Sequence, residues 1–356
     1  MLSRVAHSLF WIGRYFERVE NITRIIQDSL FSLIEIEHLN EEQEFYHWKP
    51  ILQACSDLKI FENQERPHNT SNILEFLAFD DNNPGAICNC ISNIRQNAHM
   101  VRDQISEEMW AWINRLYHHT KDVTIDCGSE SIQEFLTTVR DESIRFQGLV
   151  SSTLSRDEGY YFIELGKFLE RSYHTVNIID LKYHLILPRG SRDIGSSIDV
   201  AQWVVILKSL SAQEAYRKKF VNEINPKGIV SLLVLDKKFP RSVRFCFERM
   251  VQTLEPIGSN TEHSNNPYES CTQILSHLKN SSAVEIIKCG LHETLTKLKD
   301  KLEEIDKEIF NTYLFLPEID KYEEIRQQQR QQQQIVFSNF CCCLGNLIFY
   351  EIKNHS

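Results

Sequence analysis

Apolar residues recur every three or four positions along the first 33 residues, which is the period of an α-helix. The positions of this apolar stripe are Leu2, Val5, Leu9, Ile12, Phe16, Val19, Ile26, Leu30 and Leu33. Comparable helical patterns occupy residues 83–112, 131–154, 158–186, 199–222, 240–254, 268–279 and 282–314. Long runs of alternating β-branched residues do not occur, and only 12 glycines and 9 prolines interrupt the chain. The sequence therefore predicts an all-α fold.

Three sequence patterns occur twice in the same order, 153 to 156 residues apart. The matched pairs are IGRYFER (12–18) with LGKFLER (165–171), Trp48 with Trp203, and FLAFDDNNPGAICNCI (76–91) with LLVLDKKFPRSVRFCF (232–247). This repeat predicts an internally duplicated multi-helix bundle with two related halves, residues 1–154 and 155–316. Chance similarity among amphipathic helices is the alternative. A Gln-rich and Cys-containing extension, residues 317–356, is predicted to lie outside the core.

Composition narrows the kinds of partner that the chain can have. The net charge of −10 argues against nucleic-acid binding, which needs concentrated positive charge. The first residues lack the apolar run of a secretory signal, and the 10 cysteines are scattered, which favours reduced thiols in the cytoplasm. No membrane segment is expected in the core. The apolar stretch at 335–352 is interrupted by polar residues, which favours a loosely packed appendage over a membrane contact.

A line of one glycine and three charged residues runs beside the apolar stripe of the first helix. Its members, at helical spacing, are Gly13, Glu17, Glu20 and Arg24. Three further polar residues are expected nearer to solvent, namely Arg14, Arg18 and Asn21. Glycine inside a helix costs about 1 kcal/mol relative to alanine, so Gly13 indicates close approach of another backbone or of a ligand.

The second half carries a partial copy of this line. Gly166, Glu170 and Arg171 repeat the glycine and the Glu-Arg pair, whereas Tyr173 and Asn177 replace the second glutamate and the last arginine. One interpretation is a structural ion-pair network between helices. The other is a cleft in which arginines hold carboxylate or phosphate groups.

A second polar set is predicted on the helix that follows Pro84. Its candidate binding residues are Arg95, Asn97, Arg102 and Glu108. Asp80 and Asn83 precede this helix and are interpreted as caps for its free N–H groups. Arg241 stands at a predicted helix start in the second half, where positive charge is unfavourable. This placement indicates either a bound anion or a buried acidic partner.

Neither a metal site nor a cofactor is expected. Glu-x-x-His pairs at 35–38 and 44–47 match di-iron spacing, but they lie too close together to serve two core helices. Glu170 and His174 form a similar pair that stands alone. Phosphate-binding loops, dinucleotide fingerprints and nucleophile elbows do not occur, so ATP chemistry would belong to a partner.

Four blocks of the sequence point to a known family. They are MLSRVAHSLFWIGRYFERVENITR (1–24), NNPGAICNCISNIRQNAHMVRDQISEEMW (82–110), RDEGYYFIELGKFLER (156–171) and LDKKFPRSVRFC (235–246). Over residues 1–316 the chain resembles the bacterial alpha-E family, helical proteins whose biochemical role is not established. It departs from the family pattern at Gln96, His99 and Lys167, which are therefore poor candidates for indispensable chemistry. The resemblance implies association with ATP-grasp ligase-like and transglutaminase-like proteins, and hence a part in peptide or amide-bond metabolism.

Three functions follow as hypotheses. The leading one is a cytosolic helical component of a peptide or amide ligase system, which binds a partner protein or an acidic peptide-like substrate through a Glu/Arg-lined face. The alternative is an enzyme in which Glu17 and Glu20 act as acid and base. Its substrate clamps would be Arg14, Arg24, Arg95 and Arg102. The third is a purely structural scaffold. Convergence of these residues on a pocket favours ligand binding or catalysis, whereas a closed ion-pair seam favours a scaffold or partner binding.

Overall fold

Helices are the only regular elements in the part of the chain that the computed structural model describes. The described residues are 1–34, 41–55, 58–64, 66–121, 130–186, 197–220, 224–258 and 266–314. The helices are α1 (Ser3–Ile34), α2 (Glu41–Ala54), α3 (Leu58–Glu62), α4 (Thr70–Ala78), α5 (Ile87–Met100), α6 (Glu107–Lys121), α7 (Glu130–Thr153), α8 (Glu158–Ile186), α9 (Ser197–Ser209), α10 (Gln213–Lys219), α11 (Pro226–Leu233), α12 (Val243–Gly258), α13 (Pro267–Asn280), α14 (Ala283–Lys288) and α15 (Leu291–Ile309). A π-helical turn, Phe310–Leu314, follows α15. The prediction of an all-α fold is confirmed.

The first helix is the centre of the molecule. It packs against α5, α7 and α8, and α8 packs in turn against α12 and α15. Leu9, Ile12 and Val19 of the predicted apolar stripe are completely buried, as a core-facing stripe requires. Residues Met1–Leu314 form one compact unit, and the division into halves at residue 154 stays a prediction. The predicted extension at 317–356 lies outside the described residues.

Three predicted helices are in fact pairs of shorter helices. The patterns at 83–112, 199–222 and 282–314 correspond to α5 with α6, α9 with α10, and α14 with α15. Ser211, with a φ of 51°, separates α9 from α10, and Gly290, with a φ of 94°, separates α14 from α15. The apolar period continues across these turns, so periodicity alone does not reveal them.

Helix α5 begins at Ile87, later than the start at residue 83 that the sequence predicts. Its N-cap residue is Ala86, which provides no side-chain hydrogen bond to the first turn. Asn83 Oδ1 instead accepts from the backbone N–H of Gly85 at 2.9 Å, and Asp80 Oδ1 accepts from that of Asn82 at 2.8 Å. The expected capping of this helix by Asp80 or Asn83 is therefore wrong, because both side chains stabilise the preceding turn.

Four helices were not predicted from the sequence, namely α2, α3, α4 and α11. Two of them are short and begin at an asparagine cap: Asn69 accepts from the N–H of Asn72, and Asn225 accepts from that of Gly228. Helices this short show few turns of apolar periodicity. None of the described helices combines the length and the apolar character needed to cross a membrane.

Candidate functional site

The backbones of α1 and α8 touch at two glycines. A Cβ atom on Gly13 would overlap the carbonyl oxygen of Ile163, and one on Gly166 would overlap the carbonyl oxygen of Phe10. Each helix thus contributes one glycine to the contact, as the mid-helix Gly13 indicated. The close approach brings the next turn of each helix, with its Glu-Arg pair, against the other.

The two Glu-Arg pairs bind each other reciprocally. Arg171 donates from Nε and Nη2 to the two carboxylate oxygens of Glu17, at 2.8 and 2.6 Å. Arg18 donates from Nε and Nη2 to the two oxygens of Glu170, at 2.7 and 3.2 Å. Both arginines bind in the bidentate geometry that gives such pairs their directionality. We call Glu17, Arg18, Glu170 and Arg171 the Glu–Arg seam.

Arg241 extends the seam on the side of Glu17. From the residues just before α12, it donates to Glu17 Oε1 at 3.3 Å, to Glu20 Oε1 at 2.6 Å and to Asn21 Oδ1 at 2.7 Å. Of the two explanations offered by the sequence, the buried acidic partner is therefore present. Arg24 also binds Glu20, at 2.9 and 3.0 Å, so this glutamate lies between two guanidinium groups.

Arg14 extends the seam on the side of Glu170. It donates from Nε to Glu170 Oε2 at 2.8 Å and from Nη1 to both carboxylate oxygens of Asp306 on α15, each at 2.8 Å. Arg14 and Asn21 are only 6% and 2% exposed, so the expectation that they face solvent is wrong. The cause is that α15 and the start of α12 cover the sides of α1 that an isolated helix would expose.

The arginines decide the charge state of the seam carboxylates. Burial alone would raise the pKa of Glu17, but Arg171 and Arg241 outweigh it and lower that pKa to about 2. Burial would likewise raise the pKa of Glu170, and Arg18 and Arg14 lower it to about 2. Both side chains are therefore anionic at neutral pH. A general acid or base works best with a pKa near the working pH, so neither is suited to that role.

The structure brings seven of the predicted site residues into this network and leaves four outside it. The seven are Arg14, Glu17, Glu20, Arg24, Glu170, Arg171 and Arg241. Arg95 binds Asn114 Oδ1 at 2.8 Å, Asn97 donates to the Asn93 carbonyl, and Arg102 lies over the Trp110 ring. Glu108 is exposed in the first turn of α6. Arg95 and Asn97 lie on α5, Arg102 lies in the turn after it, and Glu108 lies on α6.

Four members of the network were not predicted as site residues: Arg18 and Asn21 were expected nearer to solvent, and Gln147 and Asp306 were not singled out at all. Gln147 on α7 donates to Glu20 Oε2 at 2.8 Å, and Asp306 on α15 binds Arg14. Each belongs to an ordinary amphipathic helix, where a polar residue has no distinguishing signal. Only the packing of α7 and α15 on α1 and α8 gives them a role.

A cavity of about 290 Å³ lies beside the Glu170 side of the seam. It is lined by Arg14, Arg18, Asn21, Ile22, Ala54, Cys55, Ile60, Pro84, Gly85, Glu170, Tyr173, His174 and Asn177. The lining thus comes from α1, α2, α3, α8 and the turn before α5. This volume is sufficient for a small molecule or for the end of a larger ligand.

The sequence contains two Glu-x-x-His pairs with metal-ligand spacing, at 35–38 and 44–47. The described residues hold no cluster of three or more His, Cys, Asp or Glu side chains that could bind a metal ion. Glu44 Oε2 accepts hydrogen bonds from both the N–H and the hydroxyl of Thr70, at 3.0 and 2.7 Å. Glu35 and His38, the other candidate pair, lie outside the described residues.

The fold and the seam define a helical protein whose central contact is a reciprocal pair of Glu-Arg motifs. The model of the alpha-E family, described as a predicted alpha-helical domain with a conserved ER motif, matches residues 1–314. The chain therefore belongs to the alpha-E family.

Relatives and solved structures add little about activity. An uncharacterized protein of Mycobacterium tuberculosis is 21% identical over 350 residues, which cover 88% of this chain and 37% of that protein. An uncharacterized protein of Mycobacterium bovis matches with the same identity and coverage. The chain thus spans well under half the length of these curated relatives. No solved structure matches it at a significant level.

Proposed function

We propose that the chain is a cytosolic helical component of a peptide or amide ligase system, which binds a partner protein or an acidic peptide-like substrate while a partner performs the ATP-dependent step. The carrying observation is that the acidic candidates are already occupied. Glu17 accepts from Arg171 and Arg241, and Glu20 accepts from Arg24, Arg241 and Gln147. This arrangement supports a binding role over the enzyme alternative, because the lowered pKa of Glu17 makes that carboxylate a poor proton carrier and the oxygens of Glu20 already accept hydrogen bonds from three side chains.

The ligase connection is supported by the family resemblance, which implies an ATP-grasp ligase-like partner and a transglutaminase-like protein as a further one. The binding surface differs in one respect from the Glu/Arg-lined face that the sequence predicts. The seam itself is buried, so recognition belongs to surfaces beside it, including the cavity next to Glu170. A purely structural scaffold would have no use for this cavity, and binding is therefore preferred.

Reconstitution with the ATP-grasp ligase-like protein tests this function. We expect the full chain to bind that protein and to increase its rate of amide-bond formation, and we expect the chain alone to consume no ATP and cleave no peptide. Glu20→Gln keeps an amide oxygen for Arg24 and Arg241 but removes the charge. It should lower the melting temperature and leave the rate of the folded complex unchanged.

Two results would contradict the proposal. Amide-bond formation or cleavage by the chain alone, abolished by Glu20→Gln without unfolding, would establish the enzyme alternative. A ligase that neither binds the chain nor responds to it would remove the ligase connection.

We also propose that residues 1–154 and 155–316 are duplicated halves. Equivalent residues make equivalent contacts: Gly13 and Gly166 each meet a backbone of the other helix, and the two Glu-Arg pairs bind reciprocally. The asparagine caps of α4 and α11 are likewise 156 residues apart. An experimental structure in which α1–α5 superposes on α8–α12 at this spacing would agree, and a different best superposition would contradict the duplication.

A further inference from the structure

The cavity beside Glu170 is lined by the hydrogen-bond donors of Arg14 and Arg18, and the carboxylate of Glu170 already accepts from both arginines. Both oxygens of Glu170 are occupied by Arg14 and Arg18. In Arg18, Nε and Nη2 make these bonds, and the remaining Nη1 has no hydrogen bond to a described residue. Arg14 and Arg18 both line the cavity, so it is walled by guanidinium groups that already share the carboxylate of Glu170.

Asn21 is a second donor without an acceptor. It lines the same cavity and is 2% exposed. Its Oδ1 accepts from Arg241 Nη1 at 2.7 Å, which fixes the orientation of the amide. The opposite end, Nδ2, is buried and has no hydrogen-bond partner among the described residues. A buried amide N–H without an acceptor is uncommon in folded proteins and points to a ligand that supplies one.

The N-terminus of α5 adds a third source of positive potential. Pro84 and Gly85, in the turn directly before this helix of 14 residues, line the cavity. Ala86, the N-cap, provides no side-chain acceptor for the first turn. The free N–H groups at a helix start and the helix dipole together favour an anion.

His174 contributes a neutral polar group to the lining. Burial, together with the nearby charge of Arg241, lowers the pKa of His174 to about 3, so the ring is uncharged at neutral pH. Its Nε2 is buried and has no hydrogen-bond partner among the described residues. The ring can therefore bond to a polar ligand without adding a full charge to the cavity.

The balance of charge selects the kind of anion. The network beside the cavity has five arginines and four carboxylates, which leaves one positive charge in excess: Arg14, Arg18, Arg24, Arg171 and Arg241 against Glu17, Glu20, Glu170 and Asp306. A monoanion matches this single charge better than phosphate, which carries between one and two negative charges at neutral pH. Ile22, Ala54 and Ile60 in the lining can pack against the carbon atoms of such a ligand.

We infer that this cavity binds a carboxylate group of a peptide-like ligand, with Asn21 and Arg18 as its hydrogen-bond donors. The inference rests on the proposed binding function and names the chemical group that is recognised. It requires no contribution from the ligase partner, because every residue of the cavity belongs to this chain.

Isothermal titration calorimetry on the purified full chain tests the inference. The probes are N-acetylglycine, which is a small monocarboxylate, its neutral analogue N-acetylglycinamide, and inorganic phosphate. We expect N-acetylglycine to bind, phosphate to bind more weakly, and the neutral amide not to bind at the same concentrations.

Two substitutions that make the same change in size and charge, one inside the cavity and one outside it, locate the binding. Asn21→Asp keeps an oxygen for Arg241 but replaces the free N–H donor with a negative oxygen, so binding should weaken by about tenfold or more. Asn114→Asp is the control, because Asn114 also accepts from an arginine but lies on α6, outside the cavity lining. The Asn114→Asp chain should bind N-acetylglycine with the same affinity as the unmodified chain. Ile60→Trp fills the cavity without changing its charge and should also abolish binding. This variant replaces Asn21→Asp as the test if Asn21→Asp does not fold.

The alternatives give different results. Equal binding of N-acetylglycinamide, or no binding of any probe, would overturn the inference, and tighter binding of phosphate would reassign the site to phosphorylated ligands. Equal losses in Asn21→Asp and Asn114→Asp would show that the ligand binds elsewhere. A chain that binds N-acetylglycine but no ligase would refute only the ligase connection, and the reverse result would refute only the carboxylate site.

Discussion

Glu17 shows how one side chain can be both strongly ionic and unsuited to catalysis. It has no solvent exposure, and all of its hydrogen bonds come from Arg171 and Arg241. An ion pair buried to this degree adds little net stability when intact, because desolvation offsets the attraction. Its removal is costly, however, since it leaves the buried guanidinium group of Arg171 without its counter-charge.

The substitution Glu17→Gln tests this asymmetry. We expect the free energy of unfolding to fall by about 3 kcal/mol or more, because Arg171 would lose its anion in a buried position and Arg241 would keep only Glu20 as an anionic partner. Chemical denaturation at neutral pH measures the change. Glu304→Gln is the matched control, because the Lys301–Glu304 pair is exposed and its loss should not change stability measurably. Equal stability of both variants would mean that the seam is solvated.

The crossing of α1 and α8 depends on two residues that lack a side chain. Gly13 and Gly166 each lie against a carbonyl oxygen of the other helix, and this contact sets the distance across which the seam residues reach each other. Helix formation alone would favour alanine at both positions. At these two positions, close packing between α1 and α8 therefore outweighs the helix propensity of the residue.

Replacing these glycines should separate helix propensity from packing. Gly13→Ala and Gly166→Ala should each destabilise the fold by roughly 1–3 kcal/mol, because a backbone carbonyl must move to admit the new methyl group. Gly148→Ala in α7, where nothing lies within 4 Å of the new Cβ, should instead stabilise by about 0.5–1 kcal/mol. Thermal unfolding of the three variants provides the comparison. Stabilisation in all three would show that α1 and α8 are not in backbone contact.

The folded molecule contains buried titratable groups whose protonation would destabilise it. Glu17 and Glu170 have folded-state pKa values near 2, below the ordinary value of 4.5. His174 has a folded-state pKa near 3, below the ordinary value of 6.5, because burial excludes its charged form. In each case the unfolded chain binds a proton at a higher pH than the folded chain does, so acid favours unfolding.

The pH dependence of stability follows from these shifts. We expect the free energy of unfolding to be nearly constant between about pH 6.5 and about pH 8. It should fall below about pH 6.5 as the unfolded chain protonates His174, and more steeply below about pH 4.5 as the unfolded chain protonates Glu17 and Glu170. Urea denaturation at a series of pH values measures this curve. The substitution His174→Gln should reduce the slope of the stability curve between pH 6.5 and pH 4.5. A stability that rises as the pH falls below 6.5 would contradict the assignment of a neutral, buried His174.

The long helices were predictable because their determinants are local. The patterns at 131–154 and 158–186 match α7 and α8 to within one residue at each end, since the apolar period and the backbone period coincide along a single helix. Helix ends inside the pattern at 83–112 were missed, because a turn such as the one closed by the Ser106 hydroxyl leaves the period intact.

Three of the four seam residues, Glu17, Glu170 and Arg171, were candidate site residues from the sequence, whereas Arg18 was expected nearer to solvent and the partners were not predicted. The sequence by itself determined an all-α chain with Gly13, Glu17 and Arg18 on one long helix and a second copy of this pattern on another, because spacing along a helix is a local property. Only the tertiary structure decided that Arg18 binds Glu170, that Asp306 binds Arg14, and that Asn21 is buried with an unused donor. These contacts join positions more than 150 residues apart or leave a group without any partner, and the crossing of helices, not the pattern on each one, determines which side chains meet.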